Sequence, residues 1–302
     1  MPKVPVYGKG QFCAIAHPYP QANTMVHIRP MTADDVALGL RLSQQANWNQ
    51  TEADWRRLLD LQPDGCFVAE SDGTAVGTTT TTIFGPVAWI AMVLVEESAR
   101  GHGIGKALVG HALDVLDRRR VPTVRLDATA LGQHLYEGLG FVEQYALARY
   151  EGTPPRAMEM AASEPASSDE WERLAILDQA ITGIDRRALL SRLFAEQPAD
   201  VRLDRVGAQL AGYLTARPGR RAVQIGPCIA SPEGGPPLFA DAFHRYAGHD
   251  IYVDIPISNA VATRVAEAHG LTVQRSFARM CRGRPQRERI EWLWASSGPE
   301  NG

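Results

Sequence analysis

Chemistry is most legible in the stretch Val93-Leu94-Val95-Glu96-Glu97-Ser98-Ala99-Arg100-Gly101-His102-Gly103-Ile104-Gly105-Lys106. An apolar run enters a glycine-rich turn, and the turn opens a segment of helical periodicity. Unpaired N–H groups at a helix start converge on one point, where the helix dipole favours negative charge. Glycines let the backbone approach phosphate oxygens closely. The chemistry expected here is the holding of a phosphate-bearing ligand. Spacing narrows the choice. A P-loop needs glycine at Arg100 and a hydroxyl residue at Ala107, and a dinucleotide fingerprint needs glycine at Lys106 or Leu108. Both patterns fail. What fits is Arg-x-x-Gly-x-Gly, read as Arg100, Gly103 and Gly105 behind an apolar strand.

A second segment, Leu126 to Phe141, contains Leu135-Tyr136, three further residues, and then Gly140-Phe141. The two motifs together resemble the acetyl-CoA motif and the closing signature of the GNAT superfamily of N-acetyltransferases. The resemblance covers residues 26 to 150. It implies acetyl-CoA as acyl donor and direct attack by an amine in a ternary complex. Main-chain groups of Val93, Leu94 and Val95 would receive the pantetheine arm as if it were another strand. Gly101, His102, Gly103, Ile104, Gly105 and Lys106 would hold the pyrophosphate, with Arg100 adding a fixed charge. Tyr136 fills the family position for the general acid that protonates the departing thiolate, since a phenol of pKa ~10 keeps its proton at neutral pH. Its alternative role is core packing.

Two departures from the family pattern matter. Thr129 stands where relatives often carry Asn against the cofactor, and its hydroxyl reaches less far. No carboxylate lies within Ala88 to Val95, where some relatives place a general base. Asp127, at the end of the following strand, is the candidate base; a helix cap for the segment from Ala128, or a water chain doing the deprotonation, are the other readings. In this family the loop between the first two helices borders the acceptor. Trp48 and Asn49 are therefore the substrate candidates, with a packing contact under the second helix equally open for Trp48. The run Thr78 to Thr82 is read as strand-forming sequence. The acceptor implied is the primary amine of a small molecule. A non-catalytic acyl-CoA sensor and a peptide N-terminal acetyltransferase are the alternatives.

These residues need a frame, and periodicity supplies one. Val26 to Pro30 reads as a strand, and Thr32 and Thr51 read as caps of two helices, the second ending at Leu61. Cys66 to Glu70, Ala75 to Phe84 and Ala88 to Val95 read as successive strands, the last apolar enough to be buried on both faces. A helix follows from Gly103 to Arg119, stopped by Pro122. Val124 to Asp127 is a strand, Ala130 to Leu139 a helix, and Phe141 to Tyr150 a closing strand. The second half repeats the plan. Gln144, Ala148 and Arg149 match Gln274, Ala278 and Arg279 at one offset, and Asp127 corresponds to Asp254.

The second copy lacks the first copy's chemistry. Ser231 to Pro237 spends three of seven positions on proline, which has no N–H, and supplies no cation; Ala266 replaces Tyr136. The arrangement resembles tandem GNAT proteins with one catalytic and one degenerate half. The expected fold is α/β, two tandem domains, each a twisted mixed sheet flanked by helices. The expected boundaries are a loose extension at 1–24 with Met25 as an alternative start, a catalytic domain at 25–152, a linker at 153–168, a degenerate domain at 169–283 and a tail at 284–302. A degenerate half would shape the acceptor cleft or form a homodimer contact.

Composition sets the outer limits. The chain of 302 residues is about twice the ~150 typical of one domain. Its net charge of −3 offers no basic face for nucleic acid or anionic membranes. The longest nearly apolar stretch, Pro86 to Val95, is ten residues, against the ~20 of a membrane helix. The first 24 residues lack the apolar run and cleavage site of a secretory signal. Cys13, Cys66, Cys228 and Cys281 form no CxxC pair, and no HExxH occurs. The expectation is a cytoplasmic protein with reduced thiols and no metal.

Overall fold

The computed structural model describes residues 26–156 and 163–302. The expected extension at 1–24, Met25 and the middle of the expected linker lie outside the described residues. The first half runs β1 (Val26–Pro30), α1 (Val36–Gln45), α2 (Glu52–Leu61), β2 (Cys66–Ser71), β3 (Thr74–Phe84), β4 (Val87–Val95), α3 (Ile104–Arg118), β5 (Thr123–Ala128), α4 (Gln133–Glu137) and β6 (Val142–Gly152). The second runs β7 (Glu164–Pro165), α5 (Trp171–Thr182), α6 (Arg187–Glu196), β8 (Arg202–Val206), β9 (Gln209–Arg217), β10 (Val223–Ala230), α7 (Gly235–Arg245), β11 (Ile251–Pro256), α8 (Ala260–Ala268), β12 (Thr272–Gly283) and β13 (Leu293–Ala295). The expected end of the linker is thus strand β7, paired with β8.

Local rules explain most of these elements. The Thr51 N–H and hydroxyl both donate to Asp54 at 2.8 Å, a capping box that starts α2. In α3 the buried positions Ile104, Leu108, Ala112, Leu113 and Leu116 form one apolar stripe. Arg118 lies in its last turn, where positive charge suits the helix dipole. The expected helix from Ala130 to Leu139 is shorter than periodicity suggested, because turn-like hydrogen bonds occupy Thr129 to Gly132.

All the strands of the described residues join one sheet, in the order β1-β2-β3-β4-β5-β12-β6-β11-β10-β9-β8-β7, with β13 added against β10. The order is a palindrome of the repeat. The closing strands are exchanged: β12 pairs with β5 of the first half, and β6 with β11 of the second. One apolar core joins α1, α2, α5 and α6 on the same face, while α3 and α4, and separately α7 and α8, cover the other.

The exchange accounts for the repeated Asp and Arg. Arg149 of β6 donates to both oxygens of Asp254 at 2.7 Å, and Arg279 of β12 donates to both oxygens of Asp127 at 2.8 and 2.9 Å. Each pair is bidentate and buried, and each joins one half to the other.

The expected tail at 284–302 is part of the architecture. Glu288 is buried against Arg125, Arg279 and the Tyr145 hydroxyl. Beyond β13 the chain crosses to the first half, where the Trp89 indole donates to the Pro299 carbonyl at 2.9 Å.

Candidate active site

Strands β4 and β5 are parallel and pair only from Val87–Thr123 to Trp89–Arg125. Beyond that they part. A bulge is one cause: Thr78 faces Leu94 and Thr80 faces Ala91, so β4 carries an extra residue, with Met92 at φ 52°. The β5-facing backbone of β4 beyond Trp89 is left without a strand partner. A cleft of about 720 Å³ opens there.

The cleft gathers most of the sequence candidates. Val93, Leu94, Val95, Arg100, Gly101, Gly103, Ile104, Gly105, Lys106, Asp127, Thr129, Tyr136 and Trp48 all line it. Gly103 is the N-cap of α3 at φ 79°, a conformation that favours glycine, and the space beside its Cα is open. The N–H groups of the first turn of α3 therefore face a free approach. Arg100 donates from Nε to the Val95 carbonyl at 3.1 Å, which ties the turn back to β4. His102 is exposed and does not line the cleft; its ring sits 3.3 Å from the Ala99 carbonyl.

Tyr136 is buried edge-on against Phe141, with ring centres 5.9 Å apart. Burial pushes its phenol up to about 12. Its hydroxyl has no hydrogen-bond partner among the described residues. Packing and cleft exposure coexist at this residue.

Two expectations need correction. Asp127 lines the cleft, but both its oxygens serve Arg279, so it is neither a free base nor the cap of α4. Asn49 is 4 % exposed and does not line the cleft. It accepts from the N–H groups of Arg221 and Ala222 and donates to the Ala222 carbonyl, clamping the two halves together. The sequence could not reveal this, because both partners lie in the second half.

Other lining residues were missed, among them Arg149, Arg275, Phe277, Pro299 and Glu300; Gln50, in the loop expected to border the acceptor, lines the cleft as well. Glu300 is held by Arg217, by Gln50 Nε2 at 2.8 Å and by Asn301 Nδ2 at 3.1 Å. The buried Gln50 Oε1 has no partner among the described residues. The repeat of Arg149 was a usable signal; nothing in the sequence marked Glu300.

The corresponding place in the second half is filled. Strands β10 and β11 pair from Val223 to Ile225 and then part, as β4 and β5 do. Strand β13 lies in the gap, with Leu293 and Ala295 opposite Ile229 and Cys228, and Ser296 donating to the Asp254 carbonyl. Trp294, fully buried, packs over the start of α7 so closely that a Cβ on Gly235 would fall 1.8 Å from its ring. Among the described residues no helix is long and apolar enough to cross a membrane, and no His, Cys, Asp and Glu cluster could hold a metal.

Splayed parallel strands, a bulge on the first of them and a glycine turn opening the next helix together form an open cleft on a tandem fold. Comparisons with known proteins agree. Residues 37–141 match the acetyltransferase (GNAT) family model and residues 174–295 a second acetyltransferase (GNAT) domain model. The chain belongs to the GNAT superfamily of N-acetyltransferases, in tandem form. It is 34% identical over 140 residues to a mycothiol acetyltransferase of Acidothermus cellulolyticus, covering 37% of this chain and 42% of that protein. It is 25% identical over 194 residues to the N-acetyltransferase YitH of Bacillus subtilis, described as uncharacterized, covering 63% of this chain and 68% of that protein. The matches to mycothiol acetyltransferases thus span less than half the length of those relatives. Among solved structures, a "Putative Acetyltransferase" from Pyrococcus horikoshii superposes with a TM-score of 0.77 at 25% identity, over 92% of this chain and 96% of that one. A tandem GNAT protein of the clavulanic acid biosynthesis pathway shares the fold, with a TM-score of 0.62 at 16% identity over 87% and 100% of the two chains.

Proposed function

We propose that the chain is an acetyl-CoA-dependent N-acetyltransferase with a single active site, in its first half, acting on the primary amine of a small molecule. The observation that carries this is the parting of β4 from β5 directly above the open start of α3. Acetyl-CoA would supply an acetyl group activated as a thioester. The free edge of Val93, Leu94 and Val95 suits an extended arm with its own amides. The Gly101 to Lys106 turn suits a pyrophosphate, with Arg100 and Lys106 as cations. Tyr136 lines the cleft and keeps its proton at neutral pH, which supports its role as donor to the leaving sulfur.

Deprotonation of the amine falls to the tail. Glu300 and Asp127 are the carboxylates lining the cleft. Arg279 binds both oxygens of Asp127, whereas among the described residues Glu300 Oε2 accepts only from the neutral Gln50 amide, Arg217 and Asn301 taking Oε1. Glu300 ends a chain of ion pairs that runs through Arg217, Asp54 and Arg57 to Glu196, whose carboxylate is exposed at the far end. The unpartnered Gln50 Oε1 lies beside Glu300. An ammonium suits this corner, and Glu300 would take its proton. The second half, its gap filled by β13, supports the acceptor wall through Arg275 and Phe277.

The experiment is calorimetric titration with acetyl-CoA together with a thiol-release screen across amines. One site per chain and release of CoA with a small amine are expected, and Gly103→Val should weaken binding severely by crowding a backbone that favours glycine. Two equivalent sites, or unchanged affinity in Gly103→Val, would sink the assignment.

A further inference from the structure

We infer that the acceptor carries a carboxylate as well as its amine, as an amino acid does, and that Arg275 binds that carboxylate; the inference rests on the acetyl-transfer reading above. In the sheet Arg275 of β12 stands directly opposite Arg149 of β6, and Arg149 stands opposite Asp254 of β11. Like charges facing each other across strands repel. The carboxylate facing this pair in the sheet is spent: Asp254 receives Nε and one terminal nitrogen of Arg149, with Gln224 adding a third contact at 3.3 Å. Arg275 keeps one neutral partner, donating from Nε to the Gln274 Oε1 at 2.9 Å. Its two terminal nitrogens make no ion pair or hydrogen bond among the described residues.

This cation is half-buried, and burial, followed by the neighbouring Arg149, lowers its pKa. A guanidinium nevertheless stays charged, so leaving it half-desolvated and unpaired costs stability that an anionic ligand would restore. It faces the cleft. Arg275 and Phe277 alternate onto one face of β12, and both line the cavity with Arg149. The other nearby cation, Arg221, is exposed and bonds Asn47.

The rest of the cavity selects the class. Gln50 and Glu300 line the same cavity, and the Glu300 carboxylate suits an ammonium. Trp48 and Phe277 supply apolar wall. One surplus cation with two free terminal nitrogens matches a planar monoanion held by two parallel hydrogen bonds. A phosphate monoester would bring nearly two charges against one.

The test uses the full chain and matched acceptors: phenylalanine, its amide and phenethylamine, with the same triplet for two other side chains. Thiol release should favour the acid by about 10–100-fold in kcat/KM, the size of a charge-assisted pair. Arg275→Gln should collapse the preference so that acid and amide converge, chiefly through KM, and Arg275→Lys should restore part of it. Amides used as well as acids by the natural protein, or a preference that survives Arg275→Gln, overturns the inference. If no amine releases thiol although acetyl-CoA binds, the acetyl-transfer reading fails. Titration of the CoA-loaded protein with the acids then judges Arg275 separately: binding lost in Arg275→Gln supports it, and no binding to the natural protein refutes it.

Discussion

At the scale of single residues, burial and partners separate groups that look alike in sequence. Tyr136 keeps a phenol displaced upward to about 12 by burial alone. Raised in this way, it remains a proton donor through neutral and mildly alkaline pH. Tyr136→Phe should cost about 10²–10⁴-fold in kcat with acetyl-CoA affinity retained, since the ring stays. In the natural protein kcat should show no fall from phenol ionisation below pH about 11, because the neutral form dominates until its pKa is approached. A near-normal kcat in the variant, measured where chemistry limits turnover, would leave Tyr136 only its contact with Phe141. The two cleft carboxylates make a sharper contrast. Glu300→Gln should cut kcat steeply with a smaller loss of stability than at Asp127, since Arg217 keeps Asp54 and the amide keeps most of the hydrogen bonds. Asp127→Asn strands the buried Arg279, and breaking such a pair costs about 3–5 kcal/mol. Its signature is therefore a lowered melting temperature rather than a lowered kcat per folded molecule. Reversed signatures would exchange their roles.

At the scale of elements, the tail does two jobs. Strand β13 fills the gap that the repeat would otherwise leave between β10 and β11, and the following residues bring Glu300 to the cleft of the first half. Glu288 fastens this segment. Burial alone would raise its carboxyl, but Arg125 and Arg279, with the Tyr145 hydroxyl, outweigh that and pull it down to about 2. A carboxylate lowered on folding stabilises the protein fully above its unfolded value, near 4.5. That contribution is lost as the pH falls from there towards 2. Glu288→Gln should therefore destabilise at neutral pH and flatten the dependence of stability on pH across this window, as seen by denaturant unfolding at several pH values. An unchanged slope would mean that the ion cluster does not hold the tail.

At the scale of the whole molecule, the exchange of β6 and β12 makes the halves interdependent. Residues 26–156 alone would lack β12 between β5 and β6, and residues 163–302 alone would lack β6 between β12 and β11. Each half would expose unpaired strand edges and an unpaired buried ion from the Arg149–Asp254 and Arg279–Asp127 pairs. Each half expressed alone should be unfolded or aggregated by circular dichroism and size exclusion. A chain split between 157 and 162 should reassemble when both pieces are made together. A folded monomeric half would contradict the exchange. The shared core of α1, α2, α5 and α6 points the same way, since neither helix pair is covered without the other.

The sequence by itself determined what local spacing encodes. The Gly101 to Lys106 turn, the strand before it, the helix after it and the Tyr136 signature lie within one stretch of chain, and periodicity placed the elements of the first half to within a few residues. The repeat was legible too, through Asp127, Arg149, Asp254 and Arg279. Tertiary structure alone decided what those residues meet. Which Asp pairs with which Arg depends on strand order, and an exchanged strand pairs residues more than a hundred positions apart, as Arg149 and Asp254 show. That pairing removed Asp127 as a base, and the junction of the halves took Asn49 as a clamp. The fate of residues 284–302 was equally hidden: a short strand and a lone glutamate carry no period, so only the open gap beside β10 and the Arg217 across the sheet give Trp294 and Glu300 their places. Local chemistry follows from neighbours in sequence, whereas the cleft wall is assembled from distant parts of both halves.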